Sequence, residues 1–259
     1  MRSGGTAQMI DLLSLHKSFG SQHVLRGVTC TARKGQTLVV LGRSGTGKSV
    51  MLKCVIGLLE PDEGTVLAEG REVAKMDRRE LNAWRSRVGF LFQGGALYDS
   101  MSVAENLVFP LRTRKGIAEE EKLERAREKL RWVGLESAFE RNPSDLSGGM
   151  RKRAALARTL MTDPEVVLYD EPTTGLDPVT SNEISQLIAR LKDEQGVTSV
   201  VVTHDMPCAR LVADRVAFLH GGRVLVEGTW DEVKDCDKPL VRFFLATEFT
   251  RDPIDVDED

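Results

Sequence analysis

One run of eight residues has the types and spacing for phosphate chemistry: Gly42-Arg43-Ser44-Gly45-Thr46-Gly47-Lys48-Ser49, followed by Val50. It fits G-x-x-x-x-G-K-[ST], the pattern of a phosphate-binding loop. Glycines let the backbone turn tightly, aim several N–H groups inward and leave no Cβ in the way of phosphate oxygens. A helix starting there adds the positive end of its dipole. Lys48 supplies a mobile charge for the outer phosphates, and the Ser49 hydroxyl suits Mg²⁺. Alone, the run says only that a nucleotide binds.

Four further positions could act on that nucleotide. Asp170 and Glu171 are adjacent carboxylates closing the apolar run Val166-Val167-Leu168-Tyr169. Two such groups at a buried strand end are costly unless a cation neutralises them. Asp170 there suits Mg²⁺, and Glu171 suits polarising an attacking water. Gln93 ends another apolar run and could orient water or metal, or be a capping amide. His204 could contact a γ-phosphate or be a satisfied core histidine. Upstream, Phe19 could stack on a nucleobase, although its local sequence favours simple packing.

The elements that must position these groups alternate between strand and helix patterns. Residues 9–15 and 24–33 read as strands, with 16–20 as a loop between them. Residues 37–41 are a β-branched, apolar strand, and Val50, Met51, Val55, Ile56 and Leu59 recur at helical spacing after the loop. Residues 65–67 and 71–73 suggest a hairpin. Asp77 and Glu80 form a capping box for a helix, and residues 88–92 a buried strand. Residues 94–162 read as mostly helical. In residues 118–133, Leu123, Ala126, Leu130 and Val133 form an apolar stripe and Glu121 stands four before Arg125. Strands then recur at 165–171, 197–203, 216–220 and 223–226, with helices between them. This pattern predicts a parallel sheet covered by helices, with ligands at the carboxyl ends of the strands. The phosphate loop, Gln93, Asp170-Glu171 and His204 each follow a strand, so all belong at one sheet edge.

Composition bounds the alternatives. With 259 residues and a formal net charge of −3, the chain has no global basic field to argue for nucleic acid. The four cysteines, Cys30, Cys54, Cys208 and Cys236, lie far apart and read as reduced thiols. No apolar run approaches the ~20 residues that span a bilayer. The first eight residues show no secretory leader pattern. Residues 249–259 read as an acidic tail.

At Leu146-Ser147-Gly148-Gly149-Met150 the pattern becomes specific. With the phosphate loop, Gln93, Asp170-Glu171, Thr174-Gly175-Leu176-Asp177 and His204 in this order, the chain resembles the ATP-binding subunit of an ABC transporter over residues 9–232. The resemblance implies an α/β fold: a P-loop NTPase (RecA-like) core at 9–93 and 163–235, with an antiparallel β portion and an inserted α-helical subdomain at 94–162, in one domain spanning 9–248. It implies ATP and Mg²⁺, with Phe19 on the base and residues 42–50 on the phosphates. Ser49, Gln93 and Asp170 would serve the metal, Glu171 would be the catalytic base, and His204 and Gln93 would assist it. Asp177 would be the D-loop acid at a dimer interface. Ser147, Gly148 and Gly149 would grip the γ-phosphate of a second copy, so a head-to-tail homodimer would hold two sites. Met150 departs from the family's usual Gln, and Thr174-Gly175 from the usual Ser-Ala.

Residues 47–50, 93–103 and 146–153 further resemble the ATPases of MCE-type (Mla) lipid transport systems. That group implies phospholipid or another lipid as cargo, an integral membrane permease, an MCE-domain lipid-binding protein and sometimes a small STAS-domain protein. The chain would sit peripherally on the cytoplasmic side of the inner membrane. Leu97, Tyr98 and Met101, expected to be exposed, would dock on the permease; a self-packed loop is the alternative. The competing readings are an ABC ATPase for another small-molecule cargo, a soluble non-transport ABC ATPase, and a nucleotide-binding module without hydrolysis.

Overall fold

The computed structural model describes residues 7–114 and 116–247. The stretch expected as an acidic tail, 249–259, lies outside the described residues, as do the first six residues, most of the segment expected to carry no leader pattern. Strands β1 (Gln8–Phe19) and β2 (Gln22–Arg33) form an antiparallel pair. Strand β1 runs four residues past the expected end at Leu15. His16, Lys17, Ser18 and Phe19 pair with Arg26, Leu25, His23 and Gln22, through register shifts that absorb the broken alternation. The loop expected at 16–20 is therefore mostly strand, because pairing with β2 outweighs the local pattern.

Strand β3 (Thr37–Leu41) has five consecutive buried positions. A strand takes such a run only where both sheet faces are covered. After it come α1 (Lys48–Val55), β4 (Glu63–Ala68), β5 (Arg71–Glu72), α2 (Arg78–Ser86) and β6 (Val88–Leu91). Helix α1 stops at Val55, short of Leu59, where Gly57 N turns back to bond Cys54 O. Helix α2 begins at the expected capping box of Asp77 and Glu80. The order β2-β1-β4-β5 makes a small antiparallel sheet.

Between β6 and β7 (Val166–Asp170) every regular element is a helix: α3 (Val103–Val108), α4 (Glu119–Trp132), α5 (Gly148–Thr159) and short 3-10 turns. In α4, Ala126, Leu130 and the following Val133 are buried, but Leu123 stays exposed. The stripe starts a turn later than expected, and it is extended by the buried stem of Lys129, whose ammonium reaches Asp163 at 2.7 Å.

The chain then alternates α6 (Pro178–Gln195), β8 (Thr198–Thr203), α7 (Met206–Val212), β9 (Arg215–His220) and β10 (Arg223–Gly228). It closes with α8 (Trp230–Lys234) and α9 (Pro239–Thr247); the sequence reading did not include the latter. The second sheet has the order β10-β9-β3-β8-β7-β6. All its neighbours are parallel except β10 with β9.

Period-two alternation divides the central strands between two cores. Val39, Leu41, Val167, Tyr169 and Val201 face the helical block, α6 and α7. Leu38, Val40, Val166, Leu168, Val200 and Val202 face α1 and the small sheet. Cys30, Cys54 and Cys208 are buried free thiols. Burial pushes the last two up to about 11 and about 12, which keeps them in the unreactive thiol form.

Candidate functional site

The groups of interest collect at the carboxyl ends of the parallel strands. The phosphate loop leaves β3 at Gly42, whose N–H donates to Thr203 O at 3.3 Å. A Cβ on Gly42 would lie 2.3 Å from Leu219 O, so the loop is pinned against β9 and only glycine fits. Arg43, Ser44 and Gly45 are exposed, and Thr46 Oγ1 donates to Arg43 O at 2.9 Å. Helix α1 begins straight after Gly47, so Lys48, Ser49 and Val50 form its first turn. The Lys48 ammonium has three partners: Gly42 O at 2.7 Å, Arg43 O at 3.0 Å and Glu171 Oε1 at 3.0 Å. Lys48 is thus folded into its own loop, poised where phosphate oxygens would take over the carbonyls' role.

Strand β7 delivers the two carboxylates in different directions. Asp170 Oδ1 accepts from Ser49 Oγ at 2.7 Å. Burial pushes the Asp170 carboxyl above its ordinary range, against the lowering bond from Ser49, and the neighbouring Glu171 pushes the same way as burial. Such a group gains from a cation. The Asp170 carboxylate and Ser49 hydroxyl are hard oxygen donors of the kind Mg²⁺ takes alongside phosphate oxygens. Among the described residues no three His, Cys, Asp or Glu side chains gather as a metal cage.

Glu171 adopts φ 50°, in the left-handed region that a glutamate seldom visits. That turn leaves the strand direction and re-aims the side chain. Oε1 meets Lys48, and Oε2 lies 2.9 Å from His204 Nδ1. A carboxylate only accepts, so Nδ1–H is the donor here. Thr174 Oγ1 and the His204 backbone N–H also reach Oε2, at 3.3 and 3.4 Å. His204 is part-exposed rather than a core histidine.

Gln93 follows β6 and is exposed, and its carbonyl accepts from the Lys152 ammonium. Phe19, at the end of β1, is 47% exposed, with the Lys17 ammonium 5.8 Å from its ring centre. The packing reading of Phe19 therefore fails, because the strand carries it out of the core. Ser147 caps α5, accepting from Met150 N at 3.3 Å, with Gly148 and Gly149 in the first turn. Asp177 caps α6 through Val179 N and Thr180 N, both 3.0 Å from Oδ1. Hydrogen bonds from Thr180 hold its carboxyl below the ordinary range.

The loop after Gln93 differs from expectation. Of Leu97, Tyr98 and Met101, only Tyr98 is exposed; Leu97 is half-buried against the larger core and Met101 is half-buried too. Asn106, fully buried on α3, explains this. Its Oδ1 accepts from Tyr98 N at 2.7 Å, while Nδ2 faces the carbonyls of Tyr98, Met101 and Ser102 at 3.0–3.1 Å. Arg158 of α5 holds the other side, donating to Ala96 O and Gly95 O at 2.7 and 3.1 Å.

Asn106 and Arg158 escaped the sequence reading, and Thr174 and Lys152 entered it only as members of motifs, with no role toward Glu171. Lys152 sits in the run Arg151-Lys152-Arg153, which resembles a solvated charge cluster. One signal was available: Gly149 and Leu156, three before and four after, are small or apolar, marking an inner helix face.

A family model described as ABC transporter matches residues 25–174, more than half of the chain. The chain belongs to the ABC transporter ATPase family. This cassette is 41% identical over 247 residues to the probable ribonucleotide transport ATP-binding protein mkl of Mycobacterium leprae, covering 93% of this chain and 71% of that one. It is 40% identical over 255 residues to protein TRIGALACTOSYLDIACYLGLYCEROL 3, chloroplastic, of Arabidopsis thaliana, covering 92% and 73%. The methionine import ATP-binding protein MetN of Mesorhizobium japonicum is 36% identical, covering 95% and 67%. A solved dimeric ATP-binding cassette in a post-hydrolysis state, bound to ADP and Pi, superposes with TM-score 0.78 at 35% identity, covering 85% of this chain and 98% of that one. The fold is that of the P-loop NTPases, as expected, and the activity is ATP hydrolysis. Cassettes of this family work as dimers with membrane permease partners. No helix among the described residues is long and apolar enough to cross a membrane.

Proposed function

We propose that this cassette powers lipid transport between membranes as the ATPase of an MCE-type system, peripheral on the cytoplasmic side of the inner membrane, with a permease, an MCE-domain protein and in some systems a small STAS-domain protein. For the chemistry, the carrying observation is the Glu171 carboxylate suspended between Lys48 and His204, beside the Ser49–Asp170 pair. For the cargo, support comes from the run at residues 93–103, from Met150, and from a relative named for trigalactosyldiacylglycerol, a lipid. The relatives named for ribonucleotide transport and methionine import favour the second reading, a different small-molecule cargo.

In the proposed mechanism the loop amides of residues 42–50 and Lys48 hold the phosphates, while Phe19 stacks on the base. Ser49, Asp170 and Gln93 would hold Mg²⁺, which when bound neutralises charge on the phosphate oxygens. As phosphate oxygens draw Lys48 away, Oε1 of Glu171 is freed to take a proton from the attacking water. His204 and Thr174 keep Oε2 in place, so the carboxylate turns little when it is released. Ser147, Gly148 and Gly149 of a second copy would close over the γ-phosphate, with Asp177 ordering the adjoining loop. The exposed Tyr98, backed by Leu97 and Met101, would meet the permease.

Two measurements test this. Steady-state ATPase of Glu171→Gln tests the base; unchanged turnover sinks that role. Affinity purification of the full chain from native membranes tests the cargo. A co-purifying MCE-domain protein supports lipid transport, and a periplasmic amino-acid-binding protein overturns it.

A further inference from the structure

We propose that Lys152 is a positioning residue for the reaction, clasping the backbones of Gln93 and Glu171 to the helix that begins at Ser147. The proposal goes beyond the mechanism above and rests on its reading of Glu171 as the base. Lys152 is 6% exposed on α5. Its ammonium donates to Gln93 O, and it reaches Glu171 O at 3.4 Å. A buried ammonium is expensive. Burial pushes Lys152 below its ordinary range, while the charges of Asp170 and Glu171 act to hold its proton on. Arg151, its neighbour on α5, is exposed, whereas Lys152 turns inward, to the ends of two different strands.

The geometry of Glu171 shows what the clasp does. A non-glycine residue in the left-handed region persists only where its surroundings over-determine it. Glu171 N–H donates to Val202 O at 2.9 Å, which fixes one side of the residue to β8. Lys152 holds the carbonyl on the other side. The carboxylate can then point at Lys48 and His204 rather than continue along the strand. Lys152 stands five residues after Ser147, about 7.5 Å along the helix at 1.5 Å per residue. A shift of the Ser147 end of α5 therefore pulls on Gln93 and Glu171 together, through one side chain.

The test uses the full chain with Lys152→Met, which keeps the stem and removes the donors, and Lys152→Arg, which keeps the charge. Single-turnover rates, ATP affinity and melting temperature are measured for each, alone and combined with Glu171→Gln. The expected result is a tenfold or larger loss of rate for Lys152→Met, with ATP affinity within about twofold, and partial rescue by Lys152→Arg. Combined with Glu171→Gln, Lys152→Met should cost little more, because the group it positions is already gone. An unchanged rate overturns the proposal. So does a rate loss matched by affinity and melting temperature, or an equal loss in the Glu171→Gln background. If Lys152→Met fails to fold, Lys152→Gln, with one donor group, is judged on the same measurements. Glu171→Gln alone, with undiminished turnover, would instead mark failure of the base assignment itself.

Discussion

The Lys48 ammonium and Glu171 Oε1 form an ion pair of 3.0 Å, with side chains only 4% and 9% exposed. The two groups hold each other, so phosphate must compete with Glu171 for Lys48. Replacing Glu171 with Gln removes the competing charge along with the base. Turnover should fall by about 10²–10⁴-fold, the usual worth of a general base. Equilibrium binding should show ATP held at least as tightly as before. A clear loss of ATP affinity would contradict the competition.

Asp170 makes a prediction about stability. Burial raises its carboxyl, so the folded chain binds that proton more tightly than the unfolded chain. Ionisation at neutral pH then costs stability, and the cost disappears once both states are protonated, below about pH 3.8. Asp170→Asn should therefore raise the melting temperature of the nucleotide-free chain at pH 7 while abolishing hydrolysis. The gain should shrink as pH falls through the raised carboxyl value. Denaturation measured from pH 7 downward checks this, and a gain that grows on acidification would reverse the sign.

Gly149 is confined by packing as well as by any phosphate. A Cβ there would lie 2.3 Å from Thr180 Cγ2. Gly149→Ala should destabilise by about 1–3 kcal/mol, the usual cost of overpacking. Adding Thr180→Ser removes the offending methyl and keeps the hydroxyl that donates to Asp177 Oδ2 at 2.6 Å. Thermal melting of the double variant should return close to the parent. Restored melting without restored ATPase would place the fault at the in-trans phosphate contact.

Asn106→Ala should unfasten the loop at 95–102. It leaves the Tyr98 N–H and the Met101 carbonyl without the amide, while Tyr98 O and Ser102 O keep backbone donors, at about 1–3 kcal/mol for the unpaired groups. Hydrogen exchange should quicken at Tyr98 and Met101, while basal ATPase stays close to the parent value. Stimulation by membrane partners should drop. An unchanged exchange pattern would show that Arg158 alone holds the loop.

Much of this was readable in the sequence because the informative signals are local. A β-branched run ahead of Gly42 marks β3, and the apolar residues before Asp170 mark β7; both motifs then fall at strand ends by necessity. What escaped depends on partners distant in the chain. Phe19 looked like a loop residue because β2, which extends its strand, is absent from the local pattern. Leu97 and Met101 looked exposed because the amide that draws them in belongs to Asn106, on the next helix. Lys152 drew no role because its acceptors are backbone carbonyls 59 and 19 residues away, and a carbonyl leaves no trace in residue type.

Strand β6 pairs directly with β7, Val88 with Val166, so residues 92–165 leave and rejoin the sheet at adjacent strands. Neighbouring strands lie about 4.8 Å apart. Because the pair is parallel, the helical block leaves at the carboxyl end of β6 and rejoins at the amino end of β7, on opposite edges of the sheet. It is itself the crossover that such a connection requires, doing the work a single helix does between other parallel strands. Gln93 lies beside one attachment, and Lys152 reaches back across it from within the block.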